Sequence, residues 1–173
     1  TVANTNDAPT ITSTADTTAE EDEAYSYTTT ATDMDTGDSV TLTCTTVPSW
    51  LTCNAGALTG TPTNSDVGSH AVVITATDTS GATATDSFTI VVSNANDAPT
   101  VSSTAITTAT EDAVYTYTLT GADADVGDTL TMSGTTVPSW LTFTASTGVL
   151  TGTPTNDNVC LLYTSDAADE VQC

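Results

Sequence analysis

The chain has 173 residues, of which 22 are acidic, one is histidine and none is lysine or arginine, so its formal net charge is −22. Such a charge disfavours nucleic acid and anionic membrane surfaces as partners. It also leaves the carboxylates without a lysine or arginine to pair with, so carboxylates that converge need a cation from solution.

The chain is built from a tandem repeat. Asn94–Pro99 repeats Asn4–Pro9 at an offset of ninety residues, and pairing residues 4–53 with 94–143 without a gap makes 31 of 50 positions identical. A fixed period of this length indicates one structural unit used twice. We expect the end of a preceding repeat and its linker (1–6), repeat 1 (7–97), a truncated repeat 2 (98–159) and a tail (160–173).

The tail, Cys160 onwards, resembles nothing in repeat 1. Its back-translation looks like a sequencing-library adaptor, so we interpret residues 160–173 as non-native and exclude them from the fold prediction. A divergent terminal segment is the alternative.

Alternating apolar and polar residues predict β-strands in repeat 1. The segments are short, rich in β-branched and aromatic residues and separated by Gly, Pro, Asn and Asp; they are 25–28, 40–43, 71–76 and 88–92. Several such strands in about ninety residues are typical of an antiparallel β-sandwich. We therefore predict an all-β chain of two sandwiches, the second truncated.

A tryptophan motif recurs unchanged in both repeats. Val47–Leu51 (Val-Pro-Ser-Trp-Leu) returns as Val137–Leu141. Trp50 and Trp140 each follow a turn that contains a proline, which favours burial of the indole ring in the core between the two sheets. A carbohydrate-stacking platform is the alternative.

The order of the motifs resembles a known family. Asn-Asp-Ala-Pro, Glu-Asp, Asp-x-Asp-x-Gly-Asp, Pro-Ser-Trp-Leu and Gly-Thr-Pro follow one another in register twice within residues 4–159. This order is similar to the dystroglycan-type cadherin-like, immunoglobulin-like repeats of bacterial surface adhesins. The resemblance implies sandwiches strung in rows, with calcium between neighbours in the cadherin-related members.

Carried over from that resemblance, two joints would bind Ca²⁺. The joint between the repeats would use Glu21, Asp22, Asn94, Asn96, Asp97, Asp123 and Asp125. The joint at the N-terminus would use Asn4, Asn6, Asp7, Asp33, Asp35 and Asp78. The linker departs from the cadherin pattern, with Asn94 where cadherins usually carry Asp.

Physical chemistry supports a cation at these positions. Calcium takes six to eight oxygen ligands, and carboxylates one residue apart can reach the same ion. Two carboxylates about 4 Å apart repel by roughly 4 kcal/mol at the effective dielectric of a protein surface. The alternative is that Asp33–Asp38 is only a turn, in which Asp and Gly are favoured anyway.

The cysteine and histidine residues do not predict a zinc site or a catalytic site. Cys44 and Cys53 are symmetric about Pro48-Ser49, so a hairpin there would place them opposite each other, either as a disulfide or as two free thiols. His70 is the only histidine, and neither a zinc set nor a Ser-His-Asp constellation recurs.

We therefore expect a non-catalytic extracellular module of a bacterial surface adhesin or stalk, stiffened by calcium. Its partners would be neighbouring repeats of the same chain and another cell-surface protein or glycan. The alternative is a spacer or carbohydrate-binding ancillary module of a secreted enzyme.

Overall fold

The computed structural model describes residues 3–159, so the predicted tail at 160–173 lies outside the described residues. The chain divides into two compact units, which we call unit 1 (Thr1–Asn96) and unit 2 (Asp97–Cys173).

Unit 1, from residue 3 onwards, is a β-sandwich of nine strands. They are β1 (Thr10–Ile11), β2 (Thr18–Glu20), β3 (Tyr25–Thr28), β4 (Ala31–Thr32), β5 (Thr41–Thr46), β6 (Leu51–Asn54), β7 (Ala57–Gly60), β8 (Gly68–Thr77) and β9 (Thr83–Ser93). One sheet has the order β2-β9-β8-β5, the other β3-β7-β6, and β1 pairs with β4 alone. A 3-10 turn at Asn64–Asp66 precedes β8.

The core of unit 1 lies between the two larger sheets. Tyr25 and Tyr27 of β3 are buried while the residues between and after them are exposed, as the two-residue period of a strand requires. From the opposite sheet, β8 and β9 contribute Val72, Ile74 and Ile90 to the same cluster. The predicted strands and sandwich are thus confirmed.

The long β8–β9 hairpin organises its whole sheet. β8 and β9 pair antiparallel over ten positions, from Gly68↔Val92 to Thr77↔Thr83. β5 pairs antiparallel with β8, and β2 pairs with β9 in parallel, an exception in an otherwise antiparallel fold. Both outer strands of this sheet therefore depend on the hairpin for their backbone hydrogen bonds.

Unit 2 repeats one of these sheets. Its strands are β10 (Thr100–Val101), β11 (Tyr115–Thr118), β12 (Gly121–Ala122), β13 (Leu141–Thr144) and β14 (Val149–Gly152), followed by a 3-10 turn at Asn156–Asn158. The sheet β11-β14-β13 matches β3-β7-β6, and β10-β12 matches β1-β4. The described part of unit 2 contains no counterpart of the β8–β9 hairpin, and the segments equivalent to β2 and β5 are not strands.

The two cysteines of unit 1 form a disulfide between sheets. Cys44 lies on β5 and Cys53 on β6, with Cα atoms 6.4 Å apart. The predicted hairpin between them is wrong, because β5 pairs with β8 and β6 pairs with β7. The segment that contains Pro48 instead connects β5 in one sheet to β6 in the other.

Unit 2 fills the equivalent space with an aromatic ring. Gly134 and Phe143 occupy the positions of the two cysteines. A Cβ added at Gly134 would lie 3.3 Å from Cδ1 of Phe143 and 2.7 Å from Cγ2 of Val137. A side chain at Gly134 would therefore press on Val137 and Phe143, so the glycine leaves room for the Phe143 ring.

Candidate metal centre

The aspartate loop of unit 1 follows β4 directly. The Asp35 N–H donates to Asp33 Oδ1 (2.9 Å), and the Asp38 N–H donates to the Asp35 carbonyl (3.2 Å). Gly37 has a φ of 102°, a conformation that glycine adopts without a Cβ clash. The result is a tight loop in which Asp33, Asp35 and Asp38 each present an oxygen, all within 4.8 Å of one another.

The linker before repeat 1 is fastened to this loop. The Asn4 side-chain amide donates to Asp35 Oδ1 and the Asp7 backbone N–H donates to Asp35 Oδ2, each at 2.7 Å. Asp35 therefore connects linker and loop through both of its carboxylate oxygens. The structure thus brings four of the six residues predicted for this joint together, Asn4, Asp7, Asp33 and Asp35, and their role as calcium ligands stays a prediction.

Asp78 is held beside the linker by a different set of donors. Its buried carboxylate accepts the Asn6 side-chain amide (2.7 Å) and the Ala82 backbone N–H (2.8 Å). The Asn6 amide and the N–H groups of the following turn lower the pKa of Asp78 and outweigh burial, which raises it. Asp78 thus anchors the linker through neutral donors.

Unit 2 reproduces the aspartate loop. The Asp125 N–H donates to Asp123 Oδ1 (3.0 Å), and the Asp97 N–H donates to Asp125 Oδ2 (2.7 Å), as Asp7 does to Asp35. Asp123, Asp125 and Asp128 each offer an oxygen within 4.8 Å of the others, and only 6 % of Asp125 is exposed. Both units thus hold three carboxylates in the same arrangement.

Asp38 and Asp128 belong to these groups although we did not predict them as ligands. The signal was present in the sequence, because each is the last residue of the recurring Asp-x-Asp-x-Gly-Asp motif. The glycine that precedes each of them, Gly37 or Gly127, has a positive φ and turns the chain back toward the first aspartate.

Glu21 lies at the opposite end of unit 1, after β2. The Glu21 N–H donates to the Ser93 carbonyl (3.1 Å), and the Ala95 N–H donates to Glu21 Oε1 (2.7 Å). Only 1 % of Glu21 is exposed, and within the described residues its Oε2 is buried without a hydrogen-bond partner. Its counterpart Glu111 is exposed in unit 2, where the described residues include no strand equivalent to β9.

Asp22 has a backbone role that the sequence did not indicate. Its φ is 62°, and the matching Asp112 has a φ of 60°. The N–H groups of these two residues donate to the carbonyls of Pro62 (2.8 Å) and Pro154 (2.9 Å) in the Gly-Thr-Pro turns. Aspartate tolerates this left-handed conformation better than most residues. The backbone conformation therefore explains why an aspartate follows Glu21 and Glu111.

The linker residues Asn94 and Asn96 lie at the end of unit 1. The Asn94 side-chain amide donates to the Ala95 carbonyl at 3.2 Å. Both asparagines are exposed.

The chemistry of the aspartate loops suits a hard cation. Carboxylates this close repel one another by several kcal/mol, and calcium prefers carboxylate, amide and backbone oxygens. Among the residues that the structure describes, Asp33 Oδ2 is buried and has no hydrogen-bond partner. A bound cation would satisfy that oxygen, so the residues fit calcium.

The tryptophans do not form an exposed aromatic strip. Trp50 is half-buried and makes edge-to-face contacts with Tyr25 and His70, with ring centroids 5.8 Å apart in each pair. Trp140 contacts Tyr115 in the same way. Within the described residues, the large apolar side chains that are exposed are all aliphatic.

The described part of the chain has no helix with the length and apolar character needed to span a bilayer.

These features define a class of tandem β-sandwich modules with an immunoglobulin-like, cadherin-like fold and acidic loops at the start of each repeat. The chain matches the family described as "Putative Ig domain" (He_PIG) over residues 8–93 and 98–169, and it belongs to that family. The second match continues past Val159 into the segment interpreted as a tail. Curated proteins gave no match.

A solved structure supports the fold. The chain is similar to human CDH23 EC21-23, at 17% identity and a TM-score of 0.51, over 91% of this chain and 57% of that one. It is also similar to the Protocadherin GammaB4 extracellular domain, at 20% identity and a TM-score of 0.46, over 87% of this chain and 29% of that one.

A third similar structure is the endo-fucoidan hydrolase MfFcnA4 from glycoside hydrolase family 107, at 25% identity and a TM-score of 0.43. The match covers 88% of this chain but only 25% of that one, so the chain spans about a quarter of the hydrolase's length.

Proposed function

We propose that each repeat binds calcium at its aspartate loop and that the ion fastens the linker to the repeat that follows it. The observation that carries this proposal is the double contact of Asp35 with Asn4 and Asp7, recurring as the contact of Asp125 with Asp97. An ion among these carboxylates would further restrain a linker that these hydrogen bonds already hold to the loop.

In a row of such repeats the effect would be mechanical. Calcium would stiffen each linker and resist unfolding of the loop, so the chain would serve as a non-catalytic stalk or adhesive rod on a bacterial surface, of the dystroglycan-type cadherin-like class. The participation of Glu21, Asp22, Asn94 and Asn96 in the same coordination stays a prediction from the sequence. Its partners would be neighbouring repeats and another surface protein or glycan.

The Cys44–Cys53 disulfide supports an extracellular location, because such bonds persist in oxidising compartments. The high density of acidic groups fits a calcium-rich exterior, where weak sites with dissociation constants of about 10⁻⁴ to 10⁻³ M are filled.

Thermal unfolding with chelator and with millimolar calcium tests the proposal. At ten times the dissociation constant or more, calcium should stabilise each unit by roughly 1.4 kcal/mol or more and raise its melting temperature by roughly 5–10 °C. Asp35→Asn should abolish the rise in unit 1 and Asp125→Asn that in unit 2. Asp157→Asn, which removes an exposed carboxylate outside the loops, is the matched control and should keep both. Identical melts with chelator and calcium would overturn the proposal.

A further inference from the structure

The acidic residues are distributed unevenly along the chain. None of the 22 falls within residues 39–65, the segment that contains β5, β6 and β7. The equivalent segment of the second repeat, residues 129–156, contains none either. The net charge of −22 is therefore carried by the rest of the chain, and the uncharged segment recurs with the repeat.

In unit 1 this distribution makes one side of the sandwich neutral and the other acidic. β5 ends the sheet β2-β9-β8-β5, β6 ends the sheet β3-β7-β6, and the Cys44–Cys53 disulfide joins these two edge strands. At the opposite side, Asp16, Glu20 and Glu23 line one cleft of about 270 Å³ beside β2 and β3. We call the side formed by β5 and β6 the neutral edge.

The neutral edge also has backbone groups available for pairing. Near the tip of the β8–β9 hairpin the Asp78 N–H donates to the Ala82 carbonyl (3.0 Å), so the odd-numbered residues of β8 direct their backbone groups at β5. Thr41 and Thr43 pair with odd-numbered residues of β8, which directs the backbone groups of Leu42 away from the sheet. Among the described residues, no strand pairs with that side of β5.

We propose that the neutral edge binds a second copy of this chain, with β5 of one copy antiparallel to β5 of the other. Two chains of net charge −22 repel wherever their carboxylates face each other, so close approach is most favourable where both surfaces carry none. A basic partner would favour the acidic side instead.

The character of β5 supports this pairing. Strand edges that stay single are usually protected by charged side chains or proline, and β5 has neither. The same edge on both copies meets across a two-fold axis, which closes the complex at a dimer. The register shift between Cys44 and Thr46 keeps the regular stretch short, so the dimer should be weak.

Analytical ultracentrifugation of the full chain in the presence of chelator tests this inference independently of calcium. We expect a reversible dimer with a dissociation constant between about 10⁻⁵ and 10⁻³ M, which tightens as salt screens the remaining repulsion. Denaturant without reductant should dissociate it completely. A chain that stays monomeric at about 1 mM in high salt would overturn the inference, and so would a dimer that survives denaturant.

Two matched variants locate the contact. Thr43, Thr75 and Thr85 form one row across β5, β8 and β9, and Thr43 and Thr85 are both exposed. Thr43→Asp should weaken the dimer at least about tenfold, because like charges then face each other across the contact. Thr85→Asp adds the same charge two strands from the edge and should change the dissociation constant by less than about twofold.

Hydrogen exchange of the unsubstituted chain provides a measurement that does not depend on how the variants fold. Exchange of the Leu42 amide should slow as the protein concentration rises, because its N–H then donates to the second copy. Equal weakening of the dimer by the two variants, or a dimer without added protection at Leu42, would contradict the inference.

Discussion

Unit 1 and unit 2 begin with nearly the same sequence but differ in how much sheet they form. The sheet β3-β7-β6 and its copy β11-β14-β13 are present in both units, and so is the aspartate loop. The sheet built on the β8–β9 hairpin occurs only in unit 1 among the described residues. The first sheet and the loop form from residues that both units contain, whereas the residues that build the β8–β9 hairpin of unit 1 have no counterpart in the described part of unit 2.

The largest expected difference concerns the core. Leu58 and Leu150 are equivalent, but Leu58 is fully buried under the hairpin and Leu150 is half-buried. Leu58→Ala should lower the free energy of unfolding of unit 1 by about 3–5 kcal/mol, since a buried cavity is added to the lost transfer energy. Leu150→Ala should cost unit 2 about half as much or less. Urea unfolding followed by hydrogen exchange measures the two units separately. Equal losses of unfolding free energy in the two variants would contradict the expected difference between the cores.

The second largest effect is expected from the disulfide, which among the described residues occurs in unit 1 alone. Cys44 and Cys53 are nine residues apart, and closing so short a loop stabilises a fold by about 2–3 kcal/mol in the chain-entropy account. Reductant should therefore lower the free energy of unfolding of unit 1, measured from its urea transition, by about 2–3 kcal/mol. Unit 2 carries Gly134 and Phe143 instead, so its transition serves as the internal control, and a shift in both units would contradict the assignment.

A smaller effect is expected at Asp78, whose lowered pKa makes its contribution dependent on pH. A carboxylate with a lowered folded pKa stabilises the fold fully above its unfolded pKa of about 3.9 and loses that contribution as pH falls through the folded value. Asp78→Asn should therefore destabilise unit 1 at neutral pH, because a charged acceptor of several N–H groups is lost.

The same difference should shrink as the pH falls below about 3.9, when the wild-type carboxylate is protonated as well. Urea unfolding of both proteins at neutral and acid pH measures it. A gap that is unchanged by acid would mean that the charge of Asp78 does not matter to the linker.

Much of the fold was predictable from sequence pattern alone. The alternation at Tyr25–Thr28 matched β3, and the apolar runs at 71–76 and 88–92 lie within β8 and β9. The first two aspartates of each loop were predicted because they recur with their spacing in both repeats, whereas Asp38 and Asp128 were missed.

The remainder depends on geometry that residue patterns do not encode. β7 at Ala57–Gly60 has little apolar signal and forms because Ala55 and Gly56 take positive φ values and return the chain onto β6. The parallel pairing of β2 with β9 joins residues more than seventy positions apart. The placement of Cys44 and Cys53 on different sheets followed from the partners of their strands, which symmetry about Pro48 could not reveal.

Calorimetric titration of calcium into the chelator-treated chain tests the central claim most directly. The account predicts saturable heat with a dissociation constant of about 10⁻⁴ to 10⁻³ M, lost when Asp35→Asn and Asp125→Asn are combined and retained in Asp157→Asn. The absence of saturable heat, or equal heat in the double variant, would contradict a calcium role for the aspartate loops.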